Sequence, residues 1–264
     1  MKQRITTGIL AGAGFLVLLY LGGAWFALII SVLALIGYYE FISMMKLRHT
    51  DPASIIGYLS IAFLVIPRSQ ESHALGIFSF ETGIWAMMVL FLLATVVTKN
   101  RTNVHDVSIL FLGTLYIGTG FHFMGLTRSL EHGLFWTLLV FACIWATDSG
   151  AYFTGWAIGK RLLWPSISPK KTVEGAVGGI LFSVVTAIGF SLYSPDLLSV
   201  RQALLIAVLA SIFSQLGDFV ESALKRSQGV KDSGTILPGH GGILDRVDSW
   251  LFVFPMVHLF ALLS

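Results

Sequence analysis

Apolar residues run along this chain in unbroken blocks of about twenty, separated by short polar segments. A surface helix of a soluble protein would break such blocks every third or fourth residue, and a barrel strand would alternate apolar and polar positions. Continuous blocks instead match a helix crossing a hydrocarbon core about 30 Å thick, where each backbone polar group must be satisfied within its own segment. The pattern predicts nine helical spans, at 5–21, 24–45, 54–66, 82–98, 104–126, 133–158, 174–193, 202–224 and 247–263. The first break rests on Gly22 and Gly23 alone, and the third span is short. The polar segment PRSQESHALGIFSFE reads as a loop. The expected fold is all-α, a polytopic integral membrane helix bundle of about nine transmembrane helices.

Composition supports this reading. The chain of 264 residues is 55% hydrophobic and 12% charged, with mean hydropathy +0.81, whereas a soluble domain carries about 25% charge. The opening MKQR before an apolar run has the layout of a secretory signal. It leads straight into a second apolar run, so it is read as an uncleaved first span. The single cysteine, Cys143, lies inside an apolar block and is expected to act as a small core hydrophobe. A net charge of +3 is too small to imply a nucleic-acid partner.

The placement of the cations says more than their sum. With nine spans, 14 of the Lys and Arg residues fall on one side, from Lys2 and Arg4 to Lys231 and Arg246, and only Arg68, Arg128 and Arg201 on the other. The positive-inside rule then puts the N-terminus in the cytoplasm and the C-terminus outside. Small residues at close intervals, such as Gly175, Gly178 and Gly179, allow close helix approach. Packing within one subunit is their simplest use, and a homodimer interface is the other.

Polar chemistry is unevenly distributed. Residues 1–132 read as a scaffold of helices almost free of intramembrane charge, and residues 133–264 as the helices and cytoplasmic loops that carry the site. Glu40, at a helix end in YYEF, is expected to be solvated. Asp148, deep in the sixth span or at its cytoplasmic end, is a functional candidate because an ionised carboxylate in hydrocarbon is costly unless paired. In the eighth span Ser211, Gln215, Asp218, Ser222 and Lys225 follow at steps of four, three, four and three, which puts them on one helix face. Glu221 and Arg226 flank that face.

The next loop combines cations (Lys225, Arg226, Lys231, Arg246), carboxylates (Asp232, Asp245, Asp248) and the glycine-rich turn PGHGG around His240. Glycine-rich backbone can bring N–H groups to phosphate oxygens, and acids beside bases suit a magnesium-bridged polyphosphate. The loop before the seventh span, with Lys170, Lys171, Thr172 and Glu174, is a further phosphate candidate at a helix N-terminus.

The segment 222–248 resembles the signature of phosphatidate cytidylyltransferases. It runs Ser222-x-Leu224-Lys225-Arg226, four residues, Lys231-Asp232-x-Gly234, two residues, Leu237-Pro238-x-His240-Gly241-Gly242-Ile243-x-Asp245-Arg246-Val247-Asp248. ATDSGAYFTG and SPKKTVEG are similar to the family as well, so the motifs cover about 146–250. The resemblance implies transfer of CMP from CTP to phosphatidate, giving CDP-diacylglycerol and pyrophosphate, with Mg²⁺ (or Mn²⁺) required, in a bacterial inner membrane with the site facing the cytoplasm. It implies Asp218 and Asp245 as metal ligands, with Asp148 and Asp248 as support. Lys170, Lys171, Lys225, Arg226, Lys231 and Arg246 would neutralise phosphate charge. Asp232, Ser168, Thr172, Glu174, Ser222, Gly241 and Gly242 complete the candidate site, and His240 is expected to contact phosphate. A CTP-dependent lipid-alcohol kinase and a cation-coupled transporter are the alternatives. A CDP-alcohol phosphatidyltransferase would need a D-x-x-D-G-x-x-A-R pattern, which the chain lacks.

Overall fold

The computed structural model describes residues 2–66, 79–236, 241–260 and 262–263. Among them are nine helices: α1 (Lys2–Leu21), α2 (Gly23–Met44), α3 (Pro52–Val65), α4 (Phe80–Val97), α5 (Val104–Ser129), α6 (Gly133–Ile158), α7 (Val173–Tyr193), α8 (Val200–Ser227) and α9 (Leu244–Leu259). Each predicted span overlaps one of them. Six, α2 and α4 to α8, are long and apolar enough to cross a membrane. α3 and α9, with 14 and 16 residues, are shorter and rise about 21 and 24 Å at 1.5 Å per residue. The protein is thus an all-α membrane protein with six helices of spanning length among the described residues. Most of the predicted polar loop after α3, with Arg68, lies outside the described residues.

The sequence pattern did not anticipate a small antiparallel hairpin, β1 (Leu162–Trp164) and β2 (Ser168–Thr172), between α6 and α7. The Trp164 ring meets Phe219 of α8 edge-on at 5.0 Å, which secures the hairpin's turn. Thr172 ends β2 and caps α7, its hydroxyl accepting from Gly175 N at 3.1 Å.

The chain packs as two compact units. The first comprises Met1–Leu126 and Asp232–Asp245, the second Thr127–Lys231 and Arg246–Ser264. The core of the first contains Ile30, Tyr38, Phe41, Ile61, Leu64 and Phe121, all nearly inaccessible. Phe41 packs directly on Gly113 and Leu64 on Gly118, where a side chain would collide. Leu244, at the start of α9, is fully buried within reach of Gly37 on α2.

In the second unit α6 and α7 make close backbone contact. A Cβ on Gly175 would lie 2.8 Å from Ala151 O, and one on Gly179 2.9 Å from Thr147 O. This is the small-residue packing of membrane helices, realised within one subunit. Ser183 donates to Ala207 O at 3.0 Å, tying α7 to α8. α8 and α9 are packed neighbours: Gly217 sits against the Asp248 carbonyl, and Ser249 Oγ donates to Ser214 O at 3.1 Å. Cys143 is fully buried, as expected of a core hydrophobe. The outer faces are apolar, with Val96 70%, Val185 70% and Trp156 81% exposed, a surface suited to lipid.

Candidate functional site

In the second unit the sixth and eighth spans and the hairpin converge on a cavity of about 380 Å³. Asp148 of α6, Asp218 and Gln215 of α8, and Lys170, Lys171 and Thr172 of β2 line its polar part; Tyr152, Trp156 and Leu163 line its apolar part. Lys171 Nζ is ion-paired with Asp218 Oδ2 and also lies 4.5 Å from the centre of the Phe219 ring. The other Asp218 oxygen, Oδ1, accepts from Ser222 Oγ at 3.3 Å. Gln215 Nε2 donates within the same stripe to Ser211 Oγ at 3.3 Å and across to Ala176 O of α7 at 3.4 Å. From Ser211 to Ser222 the predicted face of α8 is therefore hydrogen-bonded in pairs, with Gln215 meeting α7 and Asp218 the hairpin. Asp248 of α9 interacts electrostatically with Asp218 and Asp148, and its Oδ1 accepts from Ser249 N at 2.7 Å.

Other predicted residues take different roles. Lys225 is buried and paired with Glu221 Oε2 at 2.8 Å, so its charge is already matched inside the protein. Glu221 is 1% exposed. It does not merely flank the polar face, and its separation of four residues from Lys225 was the signal that could have revealed the pair. Glu174 Oε2 accepts from Lys160 N at 3.0 Å and Arg161 N at 3.2 Å, which fixes the turn entering the hairpin. Ser168 pairs with Trp164 in the hairpin register. Lys170, Arg226, Lys231, Asp232 and Arg246 are exposed, and Arg226 Nη1 donates to Val230 O at 3.3 Å.

Gly241 and Gly242 belong to the first unit, and Pro238, Gly239 and His240 lie outside the described residues. Asp245 Oδ2 accepts from Ser233 N at 2.9 Å, Ser233 Oγ at 3.0 Å and Gly242 N at 2.8 Å. Gly241 has φ +83, a left-handed conformation that glycine adopts without strain, and a Cβ there would lie 2.6 Å from Asp245 Oδ2. The N–H of Gly242 thus meets an internal carboxylate.

Glu40 corrects the sequence reading outright. It is 1% exposed instead of solvated. Its Oε1 accepts from Ile243 N at 3.0 Å and its Oε2 from Leu244 N at 2.9 Å, with Ser233 Oγ at 3.3 Å. Nothing local in YYEF signals this, because the partners lie some two hundred residues away in the chain.

Among the described residues, no three His, Cys, Asp or Glu side chains are placed to hold a metal ion as they stand. The donor chemistry still suits a hard cation: Asp148 and Asp218 line the cavity, and the Lys171 ammonium rests on Asp218.

The profile of the cytidylyltransferase family matches residues 2–264. The phosphatidate cytidylyltransferase of Bacillus subtilis is 46% identical, covering 100% of this chain and 99% of its own. Those of Staphylococcus haemolyticus and Staphylococcus aureus are 40% and 38% identical, covering 98% and 100% of both chains. A match over the whole length, together with full-length similarity to these enzymes, shows that the chain belongs to the cytidylyltransferase family.

Proposed function

We propose that the protein transfers CMP from CTP to phosphatidate, forming CDP-diacylglycerol and pyrophosphate at the membrane face. The observation that carries this reading is full-length similarity to enzymes named for the reaction. The lysine–carboxylate cavity of the second unit is chemically consistent with it. A phosphate oxygen of phosphatidate attacks the α-phosphorus of CTP; one P–O bond forms as the bond to the bridging oxygen breaks, and pyrophosphate leaves with the electron pair. The attacking oxygen is ionised near neutral pH, so the protein's task is alignment and charge neutralisation. Lys170 and Lys171 supply cations at the cavity wall, and Gln215 and Thr172 add polar groups beside them. Tyr152 and Trp156 offer an apolar surface beside those cations, suited to the acyl chains of a lipid.

Asp218 would hold Mg²⁺ or Mn²⁺ with Asp148 and Asp248 in support, and the resemblance of the signature segment assigns a metal-ligand role to Asp245. A bound cation would offset polyphosphate charge and make the α-phosphorus more electrophilic. Nine crossings with a cytoplasmic N-terminus, supported by the 14-to-3 cation bias, would place the 222–248 segment in the cytosol. The deciding assay uses purified protein in detergent with phosphatidate and CTP labelled at the α- or γ-phosphate. Label in the lipid from α-labelled CTP, with γ-label in pyrophosphate, is the expected result. CDP as the nucleotide product would instead mean phosphoryl transfer.

A further inference from the structure

Two glycines of the signature segment, Gly234 and Gly242, are crowded by the same side chain, and that side chain lies far outside the segment. A Cβ built on Gly234 would stand 2.5 Å from Glu40 Oε1, and one on Gly242 would collide with Glu40 Oε2 and Ser233 Oγ. The Glu40 carboxylate fills the volume that a side chain at either position would need. It also accepts the N–H groups of Ile243 and Leu244, at the point where α9 begins. Those N–H groups have no acceptor within the helix, and negative charge is favoured at a helix N-terminus.

We infer that Glu40 is a positioning residue for the reaction, holding Ser233 and the backbone of Ile243 and Leu244 so that Asp245 keeps its orientation. The link is Ser233. Its hydroxyl lies 3.3 Å from Glu40 Oε2 and 3.0 Å from Asp245 Oδ2, and it accepts from Asp245 N at 3.3 Å. A hydroxyl has one proton to donate, so the two carboxylates compete for it, and each limits where the serine can point. Glu40 therefore restrains Asp245 in two ways: through the shared serine, and through the backbone N–H of Leu244, the residue before it. Burial makes the arrangement stiff, because Glu40 and Leu244 are 1% and 0% exposed and Ser233 is 5% exposed. In this reading α2 contributes to the site, although its sequence carries none of the family motif.

The inference rests on Asp245 acting in CMP transfer, so the test separates the two. Glu40→Gln replaces one acceptor oxygen with an NH₂ group that faces a backbone N–H. It should lower kcat about 100-fold, as misplacement of a site group does, while KM for CTP changes little. Amide hydrogen exchange at Ser233 and Gly242–Leu244 should accelerate, with global melting retained. Wild-type kcat in Glu40→Gln overturns the inference. So does a kcat loss with unchanged exchange in that turn. Because Glu40→Gln could also weaken folding, a second arm uses the crowding. Gly234→Ala should impair the native protein but add little in a Glu40→Ala background; full additivity of the two losses overturns the inference. Asp245→Asn is the control for the functional assignment. If it turns over normally while Glu40→Gln still loosens the turn, the role of Asp245 is wrong and the restraint by Glu40 stands.

Discussion

Each of the two units holds buried or half-buried carboxylates, and they are satisfied in different ways. In the first, Glu40 and Asp245 accept from backbone N–H groups of Ser233, Gly242, Ile243 and Leu244, donors that cannot leave. In the second, Asp218 is held by the flexible ammonium of Lys171 on the cavity wall it shares with Asp148, and Asp248 is a further like-charged neighbour. Backbone donors fix a carboxylate as part of the fold. A mobile cation leaves it available, because another cation can take the ammonium's place. Glu40 and Asp245 are thus held in fixed orientations, whereas Asp218 is balanced by an exchangeable charge.

Stability is the sharpest way to break this contrast. Glu40→Ala strands two buried N–H groups at 1–3 kcal/mol each, and should cost about 4 kcal/mol in a denaturation midpoint measured in detergent. Asp218→Asn removes one side of a pair in which both partners are about a third exposed, and should cost less than about 1 kcal/mol. Equal losses would end the distinction.

Turnover should show the reverse weighting at the cavity. Asp218→Asn is expected to reduce CMP transfer by roughly 10²–10³-fold with melting nearly unchanged, the scale seen when one preorganised electrostatic group is lost. Lys171→Met should lower turnover by about tenfold or more, and Lys171→Arg should recover part of it, since the cation is kept in a different shape. Normal turnover in Lys171→Met would remove the hairpin from the site.

A divalent ion supplies a smaller and more selective test. If the second unit's acids hold Mg²⁺, saturating ion should raise the melting temperature of the native protein, by about 2.7 kcal/mol of stability at a hundred times Kd. Asp218→Asn should abolish that rise and Glu40→Gln should retain it. The gentlest test concerns topology and perturbs neither set. In a Cys143→Ala background, Gly229→Cys should resist an impermeant thiol reagent in intact cells and react after the membrane is opened. Labelling from outside would invert the orientation read from the cations.

Much of the helical framework was legible because hydrocarbon imposes a demand on every residue of a span. Each apolar block, from 5–21 to 247–263, overlaps a helix. Hydropathy reports composition and not helix length, so it could not show that α3 stops at Val65 or that α9 has only 16 residues. The polar face of α8 was legible from its spacing, and Ser211–Gln215 and Asp218–Ser222 hydrogen bonds bear it out. The hairpin at 162–172 was not. SPKKT has no alternating pattern, and it is held as a strand by its pairing with β1 and by the Trp164–Phe219 and Lys171–Asp218 contacts.

The sequence by itself determined that this is a helical membrane protein, and its signature segment pointed to a cytidylyltransferase, because both are written in local runs and fixed intervals. Tertiary structure alone decided which charges are structural. It buried Glu40 against residues some two hundred positions away, sealed the local Lys225–Glu221 pair from solvent, and set Lys171 on Asp218. A carboxylate's role depends on which donors surround it and whether those donors can move. Neither property belongs to the residue until the chain has folded around it.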